Sequence, residues 1–289
     1  MKKLVLHLGA HKTGSTFIQN TMKENSSLLN SCGVKYFGGE DARINFTRNI
    51  VYPVVGLRES SFSENELEAQ CRLLLSEKLE KYNSMFLSNE NVLGFCDLIK
   101  SSGYIYPKSD QILRFLSKLT DSWDVKLVFL IRNYAEFIES TYVQKIKEGF
   151  TYDFEDYQSE CSLIKVSWVP IVKRMREIFG GNNVHVIKYE DFKQQQGDYL
   201  AEVMEILGCN GSFLNFDLEK NVNPSYSKVA IELARKANEV LKGDDLRDYR
   251  GFLTRRFPVK KYGRPNLFND KQKAMYSSKY EDDCAELGV

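Results

Sequence analysis

Two stretches of the sequence carry residue types at spacings that suit binding of phosphate groups. The first, LVLHLGAHKTGSTFIQ over residues 4–19, passes from an apolar run through a turn holding Gly9 and Gly14 into a helical pattern. A strand feeding such a turn and then a helix aims backbone N–H groups and the positive helix end at an anion. Gly9 and Gly14 allow close backbone approach, and Ser15 and Thr16 offer hydroxyls to phosphate oxygens. Against the Walker pattern G-x-x-x-x-G-K-[ST], the loop matches at Gly9, Gly14 and Thr16 but has Ser15 where lysine belongs. Its one lysine, Lys12, lies inside the turn. The Walker lysine serves the β- and γ-phosphates of a nucleoside triphosphate, so this loop is poorly built for ATP or GTP. Lys12 is placed instead to meet the bond between a phosphate and a transferred group.

The second stretch is VFLIRNYAEFIESTYVQ, residues 128–144. Arg132 stands at the C-terminal end of an apolar strand pattern, where ligands of open α/β sheets gather. Ser140 follows eight residues later, about two helical turns on. Together they could grip one phosphate through charge-assisted and hydroxyl hydrogen bonds. Taken alone, Arg132 could equally form a salt bridge at the sheet edge.

These side chains need elements to position them. Short β-branched or aromatic-rich runs read as buried parallel strands over residues 3–8, 34–37, 84–88, 125–131 and 184–188. Between them, residues 64–82 set Leu67, Cys71, Leu74, Leu75 and Leu79 at helical spacing, and residues 110–120 do the same with Ile112, Leu113, Leu116 and Leu119. Further helical patterns cover 135–148, 163–179, 198–207, 228–241 and 270–287, with a loop-rich stretch at 255–268. The alternation predicts an α/β fold, a parallel central sheet of about five strands flanked by helices, followed by a helical C-terminal part. No repeat, low-complexity segment or Pro/Gly linker divides the 289 residues, so a single domain is expected.

Forty basic residues against 39 acidic ones leave a net charge of +1. That balance excludes a general nucleic-acid binder while allowing a local basic pocket. The opening MKKLVLHLGA imitates a signal peptide, but its apolar run is short and leads into His11 and Lys12 instead of a small-residue cleavage site. No stretch has the length of a membrane span. Six scattered cysteines without a C-x-x-C pair read as reduced thiols of a cytoplasmic protein, not as a disulfide frame or zinc site.

The sequence resembles the sulfotransferases that use 3′-phosphoadenosine 5′-phosphosulfate (PAPS). HLGAHKTGST is similar to their 5′-phosphosulfate loop, especially the K-T-G-[ST]-T form of bacterial members. LIRNYAEFIESTY is similar to their 3′-phosphate strand and helix, whose Arg and Ser share this eight-residue separation. VIKYEDF, residues 186–192, resembles a Y-E-D segment whose tyrosine lies near the adenine, which gives Tyr189 that role. The matches fall in family order from residue 3 to residue 193. The resemblance implies a P-loop-like sulfotransferase architecture, with a cofactor-binding framework over 1–193. A mostly helical extension over 194–289 and residues 39–63 then contribute the acceptor cleft. It implies PAPS as donor and PAP (adenosine 3′,5′-bisphosphate) as product, held by Gly9, His11, Lys12, Thr13, Gly14, Ser15, Thr16, Arg132, Ser140 and Tyr189. Lys12 is the residue expected to stabilise charge on the bridging oxygen. No metal is called for. The acceptor is a small molecule or glycan, with a carbohydrate or glycolipid hydroxyl the class that family analogy suggests.

An acceptor hydroxyl needs a general base. By the resemblance Glu90 comes first, because Ser88–Asn89–Glu90 fits the S-x-E of bacterial members just past the third strand. Glu40, after the second strand, is the alternative and is not separable from Asp41; His11 is a third. Loop carboxylates are mostly just solvated, so the choice stays open. Many bacterial relatives carry a histidine after the second strand, and RINFTRN over 43–49 has none. His7 reads as core or as support for the site, and His185 as structural. The basic run Arg255, Arg256, Lys260, Lys261 and Arg264 reads as a solvated loop able to close over a 3′-phosphate. Two rivals remain: a P-loop kinase or nucleotide hydrolase, which wants lysine directly before Thr16, and a family member that binds nucleotide without turnover.

Overall fold

The computed structural model describes residues 1–161, 165–209, 215 and 225–289. Strands β1 (Lys2–His7), β2 (Val34–Gly38), β3 (Ser84–Ser88), β4 (Trp123–Ile131) and β5 (Val184–Lys188) form one parallel sheet in the order β2-β3-β1-β4-β5. All five expected strands are present, each with ends within two residues of the expected ones.

Parallel strands require crossovers that cover both faces. Alternating side chains of β1 go to opposite sides. On one face Leu4 and Leu6 join Leu127, Phe129 and the helices α2 (Glu64–Leu79), α3 (Ser109–Ser117), α4 (Tyr134–Glu148) and α5 (Val169–Phe179) in one core. On the other, Val5 packs with Phe86, Val128 and Leu130 against Ile18 and Met22 of α1 (Ser15–Glu24) and Leu200 and Val203 of α6 (Gln196–Ile206). Each such side chain, fully buried, contributes about 1.5–3 kcal/mol. The sheet is therefore a rigid base for whatever leaves its edge.

The strand order reverses at β1, whose neighbours are β3 and β4, so the ligand crevice of such a sheet opens at its carboxyl end. His7 is in register with both Ser88 and Val128. The segments after β1, β3 and β4 consequently emerge side by side: the loop at 8–14, Asn89–Glu90 and Arg132.

Several elements differ from expectation. The helix expected over 163–179 begins at Val169, where Pro170 fits the first turn and would break a longer helix; residues 162–164 lie outside the described part. Residues Ala42–Val51 form a π-helix, and α8 (Gly243–Arg256) follows α7 (Lys228–Val240). In α8 only Leu246 and Leu253 are buried, too few to show a period, while Asp244, Asp245, Arg255 and Arg256 sit at the ends the helix dipole favours. The last helix, α9, covers Asp270–Leu287 as expected.

The reading of all six cysteines as separate thiols is corrected. Cys32 and Cys209 form a disulfide across 177 residues, their Cα atoms 5.8 Å apart. Scattered positions meet because the end of α6 is pinned under the sheet: Ser84 donates its hydroxyl to the Leu207 carbonyl (3.0 Å) and Lys3 its ammonium to that of Ile206 (2.5 Å). Among the described residues no helix is long and apolar enough to cross a membrane.

Candidate active site

After His7 the chain turns through residues 8–14 into α1. Leu8 N–H donates to the Val128 carbonyl (3.1 Å) and Ala10 N–H to that of Leu130 (3.3 Å), so the loop continues the pairing with β4. Thr13 is fully buried and its hydroxyl donates to the Ala10 carbonyl at 2.6 Å, closing the loop on itself. Gly14 has φ 82°, and a Cβ there would lie 2.9 Å from the Phe192 ring and 3.2 Å from that of Tyr189. Only glycine meets both demands. Gly9 is also left-handed, with His7 Nε2 3.1 Å from where a Cβ would stand. Lys12 adopts φ 67° although it carries a side chain, a strain typical of functional loops. No side chain caps α1, and the Ser15 hydroxyl has no hydrogen-bond partner among the described residues; Thr16 follows, half-buried. An uncapped helix start beside the Ser15 hydroxyl suits an anion.

Helix α4 organises the charges. Glu136, Ser140 and Gln144 follow one another at intervals of four and share a face. Glu136 accepts from Arg132 (2.8 Å), and Gln144 accepts from the Lys12 ammonium (2.7 Å). The half-exposed Ser140 sits on the stripe between them with no hydrogen-bond partner among the described residues. Arg132 also donates to the backbone carbonyl of Lys12 at 2.7 Å and lies 4.8 Å above the Tyr189 ring. Loop, strand end and Tyr189 thus meet at one guanidinium. The buried Nε of Arg132 has no partner among the described residues.

Electrostatics follow from this crowding. Burial above all, then neighbouring Lys147, pulls the Lys12 pKa down to about 8, against the pull of Glu148. Burial pushes Glu136 up, but its hydrogen bond and charge pairing with Arg132 outweigh that and hold it low, with Lys193 and Arg264 adding to the effect. Arg264 of the basic stretch therefore acts on the Arg132 corner.

The candidate bases occupy different surroundings. Glu90 is half-buried past β3, and Gln19 of α1 donates to its Oε2 at 2.7 Å. Its charge acts on His7, His11, Tyr36 and Tyr52. Glu40 lies at the sheet's outer end, 73% exposed and paired with Arg43 at 2.9 Å. Asp41 is held low despite burial by Lys78 and Asn45. His11 is clamped. Tyr106 Oη accepts the His11 backbone N–H (2.8 Å) and so donates its own proton to Nδ1 (2.6 Å), which leaves Nε2–H to donate to Asn91 Oδ1 (3.1 Å). Burial lowers its pKa, reinforcing the neutral ring. His7, fully buried, meets Ser88 Oγ at 2.7 Å, and burial lowers its pKa to about 4. His185 faces Glu202 at 3.7 Å, away from the loop.

A family model described as the sulfotransferase domain matches residues 3–255. The chain belongs to the sulfotransferase family. That decides against a P-loop kinase or nucleotide hydrolase. The fold matches the crystal structure of a sulfotransferase from Alicyclobacillus acidocaldarius at a TM-score of 0.50, with 15% identity over 86% of this chain and 99% of that one. Less close in shape are mouse sulfotransferase SULT7A1 complexed with PAP (TM-score 0.44, 12% identity, 99% and 85% covered) and retinol dehydratase with androsterone and inactive cofactor PAP (0.40, 13%, 98% and 80%). No curated protein matched the sequence.

In this sulfotransferase the sequence reading missed Gln19, Gln144, Asn91 and Tyr106. The two glutamines had a signal, since each lies four residues past a candidate hydroxyl, Ser15 and Ser140, on the same helix face. Asn91 and Tyr106 had none, because their contacts with His11 span 80 and 95 residues.

Proposed function

We propose that the protein transfers the sulfuryl group of PAPS to an acceptor hydroxyl, with carbohydrates the first class to test, and that Glu90 is the general base. One observation carries the donor reading. Arg132 bonds the backbone of the Lys12 loop, stacks on Tyr189 and keeps a buried, unpartnered Nε. A doubly phosphorylated nucleotide fits such a corner: the Arg132 fork and the Ser140 hydroxyl suit its 3′-phosphate, the Tyr189 ring its base, and the start of α1 with Ser15 and Thr16 its 5′ side. When bound, PAPS supplies an electrophilic sulfuryl group on an anhydride oxygen and leaves as PAP.

The residues divide the remaining work. Lys12 faces the 5′ side and opposes negative charge that develops there. Burial first and Lys147 next lower its pKa, and a bound anion would oppose both. Gln144 fixes the ammonium in the turn. Gln19 holds one oxygen of Glu90, leaving Oε1 to take the acceptor proton. His11, with Nδ1 filled by the Tyr106 proton, braces the loop against Asn91 instead of accepting a proton. Glu40, exposed and paired with Arg43 at the sheet's outer end, is the second candidate.

The test is Glu90→Gln, followed as PAP release over a panel of sugar, phenol and alkyl hydroxyls. Turnover should fall about 10²–10⁴-fold with PAP affinity unchanged. Near-normal turnover moves the base to Glu40. Tight PAP binding with no turnover for any class in the wild type favours a nucleotide-binding member without activity.

A further inference from the structure

The wall of the cleft beside Glu90 has a construction that donor binding does not explain. Residues Ala42–Val51 form a π-helix, whose i→i+5 hydrogen bonds stack residues five apart. Arg43 and Arg48 are five apart and so rise from one face, while Ala42, Phe46, Thr47, Ile50 and Val51 are buried. The chain continues through Tyr52 and returns with Arg58, whose guanidinium donates to the Arg48 carbonyl (3.4 Å) and to the Asn49 side chain. An α-helix in the same place would turn Arg43 and Arg48 apart.

Arg43, Arg48 and Arg58 enclose, with Tyr52, Phe95 and Asn91, a cavity of about 380 Å³. That is the size of small-ligand pockets. Among the described residues no carboxylate lines it. Arg43 is paired with the exposed Glu40, but the Arg48 guanidinium has no hydrogen-bond or ion-pair partner among the described residues. In a chain of net charge +1, the Arg48 and Arg58 guanidiniums are a local excess at one cavity, beside the Arg43–Glu40 pair. The apolar side is equally placed: Phe95 is 57% exposed and packs on Tyr52 with ring centroids 5.2 Å apart, presenting a bare aromatic face.

The cavity borders the proposed reaction centre at Asn91. Asn91 belongs to both, following Glu90 in the chain and holding His11. Tyr52 feels the charges of both Arg48 and Glu90. A molecule in the cavity therefore reaches toward the proposed base.

We propose that this cavity is the acceptor subsite for an oxyanion, so that the acceptor carries a carboxylate, sulfate or phosphate on a ring. Arg48 and Arg58 hold the anion with their planar donor forks, Phe95 supports the ring, and the hydroxyl faces Glu90. A neutral acceptor leaves Arg48 and Arg58 without a counter-charge, which makes the pocket select for charge. The proposal rests on the reading of Glu90 as the base of sulfuryl transfer.

The experiment measures binding of 4-nitrophenyl β-D-glucoside, its 6-sulfate and 6-phosphate esters, and 4-nitrophenyl β-D-glucuronide, to PAP-saturated and to nucleotide-free protein. At least one anionic form should bind at least about tenfold more tightly than the glucoside, and added salt should weaken that preference. The leading anion identifies the acceptor's acid. The double variant Arg48→Ala/Arg58→Ala, both residues exposed, should lose the preference while PAP affinity stays that of the wild type. Equal affinity for charged and neutral glycosides, or a preference that survives in the double variant, overturns the proposal. Failure of the wild type to bind PAP would instead overturn the donor-site reading, and the nucleotide-free titration still reads the cavity.

Discussion

Replacing Lys12 with methionine should stabilise the nucleotide-free protein while disabling it. Burial pulls the Lys12 pKa from its usual 10.5 to about 8, so at pH 7 folding must enclose a cation that would rather be in water. By linkage that displacement corresponds to about 3 kcal/mol of lost stability. The bond to Gln144 at 2.7 Å disappears in the variant, but Gln144 is half-exposed and can turn to solvent, so about 1 kcal/mol is lost with it. The strained φ of 67° is common to both proteins and cancels. The balance is a gain of about 2 kcal/mol, readable by urea unfolding. The pH dependence has a definite sign. The folded pKa lies below the unfolded one, so between pH 8 and 10.5 the unfolded chain binds more protons. Wild-type stability then rises relative to the variant, and the gap between them closes. Turnover of the variant should fall by at least about 10²-fold, since the group proposed to oppose the developing charge is gone. A variant less stable than the wild type at pH 7, or a gap that persists at pH 10, would refute the reasoning.

Two further substitutions test the loop. Gly14→Ala forces a Cβ into the left-handed region and against Phe192, which should cost at least about 1–2 kcal/mol and lower the Tm; an unchanged Tm would mean the loop is built differently. Tyr106→Phe strips the His11 backbone N–H of its acceptor and Nδ1 of its donor, which should cost about 1–3 kcal/mol and raise the KM for PAPS more than it lowers kcat. Wild-type stability and KM together would contradict the bracing role of His11.

What could be read from the sequence follows the range of the interactions involved. Gly9, Lys12, Gly14 and the Arg132–Ser140 pair stood out because one turn or one helix imposes their spacing. The stripe through Glu136 and Gln144 had the same period, yet polar residues on a helix face read by default as solvated. The bonds from Arg132 and Lys12 that give the stripe its role become visible only when β1 and β4 lie side by side. The Cys32–Cys209 bridge, the Tyr106 clamp and Asn91 all depend on contacts across 80 residues or more. The π-helix at Ala42–Val51 carried no local signal either. An i→i+5 pattern differs from an α-helix by one residue of register, and no side chain caps its start.

The central claim is that Arg132, Ser140 and the Lys12 loop form a site for a nucleotide with a 3′-phosphate. Calorimetric titration with PAP, run beside ATP with magnesium and repeated on Arg132→Ala, tests it most directly. The account predicts micromolar binding of PAP, much weaker binding of ATP, and PAP affinity at least about a hundredfold lower in the variant. Preference for ATP, or equal PAP binding by wild type and Arg132→Ala, would contradict it.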